Sequence, residues 1–237
     1  MKTQILTTAV TLSLVASAAW ADVPESVADR LGKDLTPMGA EKGGSKAGVD
    51  AWSGKPIDGS ALLSGYDGGA LPNPYAADKP LYTVSASNAD EYDAVLTVGQ
   101  KALLATYPDT FKMNVYKSRR ACTYPDFVYK SAKRNAVVGK NVDGGNGISE
   151  AIMSAPFPIP SSGLEVVWNH TLRYRGDSVA RDFNYAAPTQ SGAYTLTDTR
   201  DEIVFAYSNP QYQRAEDLNN ISIWFVAYTS APARRAG

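Results

Sequence analysis

The stretch SGLEVVWNHTLRYRGDSVARDFNY, residues 162–185, decides the fold class because its periodicity changes halfway along. Leu164, Val167, Trp168, Thr171 and Leu172 recur at helical spacing and define one apolar face. Ser162 with Glu165 three residues later forms a capping box. Arg173 and Arg175 fall in the last turn, where the helix dipole favours cations, and Gly176 suits the position after the helix end. A helix over 162–175 follows. Beyond Gly176 the period becomes two. Val179, Phe183 and Tyr185 lie on one side of a strand, with Asp182 and Asn184 on the other.

The alternation continues downstream. Thr189-Gln190-Ser191-Gly192 is a turn, and Tyr194, Leu196 and Asp198 then alternate with Thr195, Thr197 and Thr199. Ile203–Tyr207 reads as a third strand and Ile221–Thr229 as a fourth, with a polar loop over 209–220 between them. Sequential strands with short connections favour an antiparallel meander. Helices precede the sheet, so the fold class is α+β: a curved antiparallel sheet with helices packed on one face. The last strand is too apolar, at Ile223, Trp224, Phe225 and Val226, for a bare sheet edge. Either another segment covers it or the chain continues in a longer form.

Upstream, the chain opens with Lys2, an apolar run from Ile5 to Ala19 and the small-x-small site Ala19-Trp20-Ala21. This is the pattern of a cleavable secretory signal over 1–21, and the run is shorter than the roughly 18 to 20 residues that span a bilayer. The expected compartment is the periplasm, with no integral membrane segment after cleavage. Residues 22–80 are dense in Gly, Pro, Asp and Ser and read as an extended wrapping segment, opened by a short helix over 24–31 and anchored by Trp52, Tyr66 and Tyr75. Residues 81–237 form the helix-plus-sheet domain. Asn88 and Glu91 suggest a capping box for a helix to Leu96, Thr97 caps a second helix over 98–106, Phe111–Val115 alternate as a short strand, and Thr123 caps a third helix over 124–138. Asn141–Gly147 is a glycine loop, and Pro156, Pro158 and Pro160 make 155–160 an extended segment that fits neither helix nor central strand.

Catalytic signatures are sparse. His170 is the single histidine, which removes most metal sites, and Cys122 is the single cysteine, expected to be a small buried residue. No Gly-x-Ser-x-Gly, P-loop or dinucleotide fingerprint occurs, and no two carboxylates stand out as a pair. A net charge of −1 without a basic tract argues against a nucleic-acid partner. No cofactor or metal is therefore assigned. The aromatic content, 14 Tyr, 6 Phe and 4 Trp, points instead to apolar binding. The candidate ligand-binding face is Phe183, Tyr185, Tyr194, Leu196, Ile203, Phe205, Tyr207, Ile223 and Phe225, under a helical lid whose apolar face is Leu164, Val167 and Trp168. A filled core is the competing reading of the same residues.

Several blocks together resemble a known family. They are DVPESVADRLGKDLTPMGAEK (22–42), KPLYTVSASNADEYDAVLTVGQKALLATYPDTFKMNVYKSRR (79–120), VDGGNG (142–147), PFPIP (156–160) and GLEVVWNHTLRYRG (163–176). They look like the periplasmic domain-of-unknown-function 1329 family, often described as outer-membrane lipoprotein-sorting proteins. The resemblance implies a relationship to the LolA/LolB carriers, whose curved half-barrel and helical lid surround a lipid pocket. It further implies association with resistance-nodulation-type exporters and an outer-membrane protein. Family members run to about twice this length, so the resemblance also implies a chain shortened at its C-terminus and a half-barrel short of strands. The expected function is a non-enzymatic periplasmic carrier or binding protein for a lipid-like ligand, linked to envelope trafficking or export. An envelope-complex adaptor without ligand and a hydrolase of hydrophobic esters are the alternatives.

Overall fold

The computed structural model describes residues 23–46, 48–68, 71–218 and 223–232. The signal over 1–21 and the first two residues of the expected last strand, 221–222, lie outside them. The chain divides into two compact units: one holds 23–33, 37–39 and 126–232 of the described residues, the other 34–36 and 40–125.

The 40–125 unit has few regular elements, as its Gly and Pro density requires. Helix α2 covers Gly59–Leu62 and α3 Val98–Thr106; strands β1, Tyr82–Val84, and β2, Met113–Val115, pair antiparallel. (Helix α1, Glu25–Ala28, belongs to the other unit.) Helix α3 starts where the sequence places it. The Thr97 hydroxyl accepts from the Gln100 N–H, and the Gln100 side chain accepts from the Thr97 N–H. The neighbouring box at Asn88 does not form. Its amide donates to the Thr83 carbonyl and accepts from the Ser85 N–H, leaving a single 3-10 turn over Ala89–Tyr92 in place of a helix. The extended stretch is ordered by side-chain to backbone bonds. Arg120 donates to the carbonyls of Glu41, Lys42 and Gly43, and the Trp52 indole donates to the Cys122 carbonyl at 3.3 Å. Cys122 itself is exposed, contrary to expectation, because this part of the chain runs over the surface. Tyr66 is likewise exposed. The expected boundary at 80/81 does not coincide with the division at 125/126, since Arg120 ties 41–43 to the same unit as the β1–β2 pair.

The other unit contains α1, Glu25–Ala28, α4, Asp126–Val138, the hairpin β3–β4, Lys140–Val142 and Gly147–Ser149, α5, Gly163–Thr171, and the strands β5, Ser178–Ala186, β6, Leu196–Val204, and β7, Trp224–Ala231. The glycine loop is the tip of the hairpin. Helix α4 buries Val128, Ala132, Asn135 and Ala136 at helical spacing.

Asn135 among them faces a chain segment that is neither helix nor strand. Residues 151–158 are all buried. Backbone polar groups buried outside a ladder need other partners, and three side chains supply them. Asn135 donates to the carbonyls of Ile152, Ser154 and Ala155 and accepts from the Ile152 N–H. Asn169 of α5 accepts from the Phe157 N–H at 2.8 Å and donates to its carbonyl at 2.6 Å. The Tyr207 hydroxyl donates to the Ser154 carbonyl at 2.6 Å, and burial raises its pKa from the ordinary tyrosine value. Gly139 admits the Pro156 carbonyl where a Cβ would stand 2.5 Å from its oxygen.

Asn135→Ala should therefore cost about 3 kcal/mol, because several buried backbone groups lose their partner at once. Urea unfolding measures this, with the exposed Asn184→Ala as reference. A loss within experimental error for Asn135→Ala would mean that water replaces the amide and that the clamp is dispensable.

Candidate functional site: an accessible sheet face

Strands β5, β6 and β7 form an antiparallel meander in that order. The register pairs Val179 with Ile203, Arg181 with Asp201, Phe183 with Thr199 and Tyr185 with Thr197; across β6, Ile203 meets Phe225, Asp201 meets Ala227 and Thr199 meets Thr229. Paired residues share a face. One face therefore carries Val179, Phe183, Tyr185, Ile203 and Phe225 around a central row of Thr197, Thr199 and Asp201. The opposite face carries Asp182, Asp198, Arg200 and Glu202 with Trp224, Val226 and Tyr228, and Arg200 bridges Asp182 at 3.0 Å and Glu202 at 3.1 Å.

This register brings together four of the nine expected face residues: Phe183, Tyr185, Ile203 and Phe225. Leu196 is a correction. Strand β6 runs unbroken from Leu196 to Val204, where the sequence reading has two strands. Leu196 and Ile203 are seven residues apart, an odd number, so one continuous strand sends them to opposite faces. The sheet accordingly has three strands. Tyr194 precedes β6 and is exposed, and Ile223 precedes β7. Phe205 and Tyr207 leave the sheet altogether. The chain after Val204 enters a 3-10 turn over Ala206–Ser208, and both rings are core, 5% and 4% exposed. The filled-core reading thus holds for those two. The aromatic face itself is open, with Tyr185 60% and Phe225 58% exposed and the Phe183 and Tyr185 rings edge to face at 4.8 Å.

The expected lid helix is shorter than its pattern and turned differently. Helix α5 ends at Thr171, four residues before Arg175, and Gly176 takes its positive φ in the link to β5. Ser162 caps it by accepting from the Glu165 N–H, while the buried Glu165 carboxylate accepts from the Ser161 N–H and hydroxyl and from the Asn141 amide. Of the apolar stripe, Trp168 packs on the cluster of Ile152, Met153, Leu172 and Tyr207; Leu164 and Val167 are exposed.

A feature the hydrophobic pattern missed sits in the middle of the aromatic face. Arg181 donates from Nε to Asp201 Oδ1 at 2.8 Å and from Nη2 to Oδ2, a bidentate pair. Asp201 is 2% exposed, whereas half of the arginine surface remains accessible. The guanidinium lies 5.5 Å from the Phe183 ring centroid. Its hydrogen bonds hold the Asp201 carboxyl below the usual carboxylate range, against the opposing effect of desolvation. The sequence signal was the i, i+20 pairing of opposite charges across one hairpin, legible only once the register is known. His170 is exposed on α5, and no group of three His, Cys, Asp or Glu suited to a metal occurs among the described residues. No helix among them is long and apolar enough to cross a membrane.

The fold and site define an α+β protein whose antiparallel meander leaves one aromatic face accessible. The chain belongs to the family described as protein of unknown function DUF1329, which matches residues 83–237. It is 43% identical over 227 residues to an uncharacterised protein of Pseudomonas aeruginosa, across 95% of this chain and 49% of that one. The chain thus spans about half the length of the curated relative it matches. No solved structure matches it.

The Asp201 pKa is depressed in the folded state, so its contribution to stability is present above the ordinary carboxylate value of 3.8 and is lost as pH falls below it. Thermal melts from about pH 5 to about pH 3 should show a fall in Tm that Asp201→Asn flattens. Identical slopes for the two proteins would show that Asp201 titrates normally.

Proposed function

We propose that this protein is a non-enzymatic periplasmic carrier that holds a lipid-like or hydrophobic ligand against the Val179–Phe183–Tyr185–Ile203–Phe225 face, within envelope lipid or lipoprotein trafficking or export. The observation that carries this reading is the exposure of the Tyr185 and Phe225 rings. A sheet face whose purpose is packing buries such rings, because each Phe or Tyr left in water forfeits about 1.5–3 kcal/mol of burial. Large accessible apolar patches mark binding surfaces. In this reading the meander is part of a LolA/LolB-like half-barrel whose other strands lie in the longer family protein. A resistance-nodulation-type exporter and an outer-membrane protein are the partners that hand over and receive the ligand.

The adaptor reading has its own support. Strand β7 is uncharged over eight residues, it pairs on one side only among the described residues, and Trp224, Phe225, Val226 and Tyr228 are all exposed. An edge of that kind invites another strand.

Native mass spectrometry of the chain, exported to a periplasm and purified without detergent, separates the two. A carrier retains extractable lipid, and Phe183→Asp and Phe225→Asp should each lower its occupancy about tenfold, equivalent to about 1.4 kcal/mol, while the fold persists by circular dichroism. Protein that emerges bare from a lipid-replete periplasm would remove the carrier reading.

A further inference from the structure

Three arginines gather where α5 leads into β5, next to the aromatic face. Arg173 and Arg175 line one cleft with Leu172, Phe205 and Ile223. Arg175 lies 4.4 Å over the Phe205 ring centroid, and Arg173 donates to the His170 carbonyl, so neither bond involves an acid. Arg181 stands on the face itself, held by the buried Asp201. Among the described residues, the cluster has one ion pair, Arg181–Asp201. Arg173 and Arg175 have no ion pair among the described residues; Asp177, the acid in the same link, acts on Tyr174. Desolvation lowers the Arg175 pKa from its ordinary value, and repulsion by Arg173 and Arg181 lowers it further. Like charges held this close without a counterion destabilise a fold, so their placement calls for an anion.

We propose that Arg173, Arg175 and Arg181 receive the acidic head group, a carboxylate or phosphate, of an amphiphile whose acyl chain lies on Phe183, Ile203 and Phe225. This rests on the carrier reading and gives its ligand a chemical class. Guanidinium suits the role because its planar donor fork matches both anions and is weakly hydrated, so it sits well beside aromatic rings. Asp201 acts as a positioning residue: it fixes the Nε and Nη2 edge of Arg181, leaving Nη1 for a ligand oxygen.

The test is calorimetric titration of the delipidated protein with three probes: oleate, methyl oleate and inorganic phosphate. Oleate should bind at least about tenfold tighter than methyl oleate, which has the same chain without the charge. Phosphate alone should bind far more weakly than oleate. The double variant Arg173→Gln/Arg175→Gln should bring the oleate to methyl oleate ratio to within about twofold, and Arg173→Lys/Arg175→Lys should restore part of it. Lys130→Gln, on α4, should leave the ratio unchanged. Equal binding of the two lipids by the wild type, or a preference that survives the double Gln variant in folded protein, overturns the head-group proposal while leaving the carrier reading intact. Phosphate binding as tight as oleate would show a site for a free anion, and overturns it as well. No binding of either lipid removes both.

Discussion

The structure of the 126–232 unit hangs on the hydrogen bonding of a segment that cannot make its own. Residues 151–158 run buried through the unit, with prolines at 156 and 158. Proline removes N–H donors and forbids a helix, so the remaining donors and carbonyls look outward for partners. Asn135 from α4, Asn169 from α5 and Tyr207 from the turn after β6 each reach this one strip. An amide side chain matches a peptide group in both donor and acceptor, which is why two of the three are asparagines. The helices and the end of the sheet are thereby fixed to a common reference, and Met153 adds a backbone bond to the Tyr207 carbonyl.

That anchoring explains the character of the meander. The sheet is attached through the end of β6, where Phe205, Ala206, Tyr207 and Ser208 are core. Its two faces then diverge in chemistry. One sets a charged ladder around Arg200 beside Trp224 and Tyr228; the other sets aromatic rings around threonines and a single charge pair. The Arg181–Asp201 pair is bidentate, and its acid is buried while its base is not. The bidentate geometry also fixes the direction of the guanidinium. A sheet packed face-on against helices would have no use for a half-exposed arginine among its aromatics. A surface that meets ligand or partner does.

The relation to the family sharpens this. A relative of about twice the length is 43% identical across 95% of this chain, a span that takes in residues of both units. Strand β5, the other sheet edge, carries Arg181 and Asp182, charges of the kind that discourage strand addition; β7 carries none. The two edges of the meander are thus chemically unlike, and only one of them is suited to further pairing.

Much of this was legible in the residues themselves. The Thr97–Gln100 box, the helix over 98–106, the body of α4, the Ser162 cap, the strand through 179–185 and the proline segment are local events, decided by caps, spacing and missing N–H groups within a few positions. Family membership was legible too, from blocks spread along the chain. What the sequence could not decide was anything that depends on a partner far along the chain. The continuity of β6 through 200–202 depends on Asp182, Arg181 and Ala180 pairing opposite it, and that continuity alone sends Leu196 away from Ile203. Phe205 and Tyr207 look like strand residues by alternation, but the bond from the Tyr207 hydroxyl to the Ser154 carbonyl draws that turn into the core. Cys122 looks like a core residue by type, but the Trp52 indole binds its backbone and leaves the thiol outside. Periodicity and capping act over one or two turns of chain, whereas register, burial and the Arg181–Asp201 contact are long-range. Only the tertiary structure fixes them.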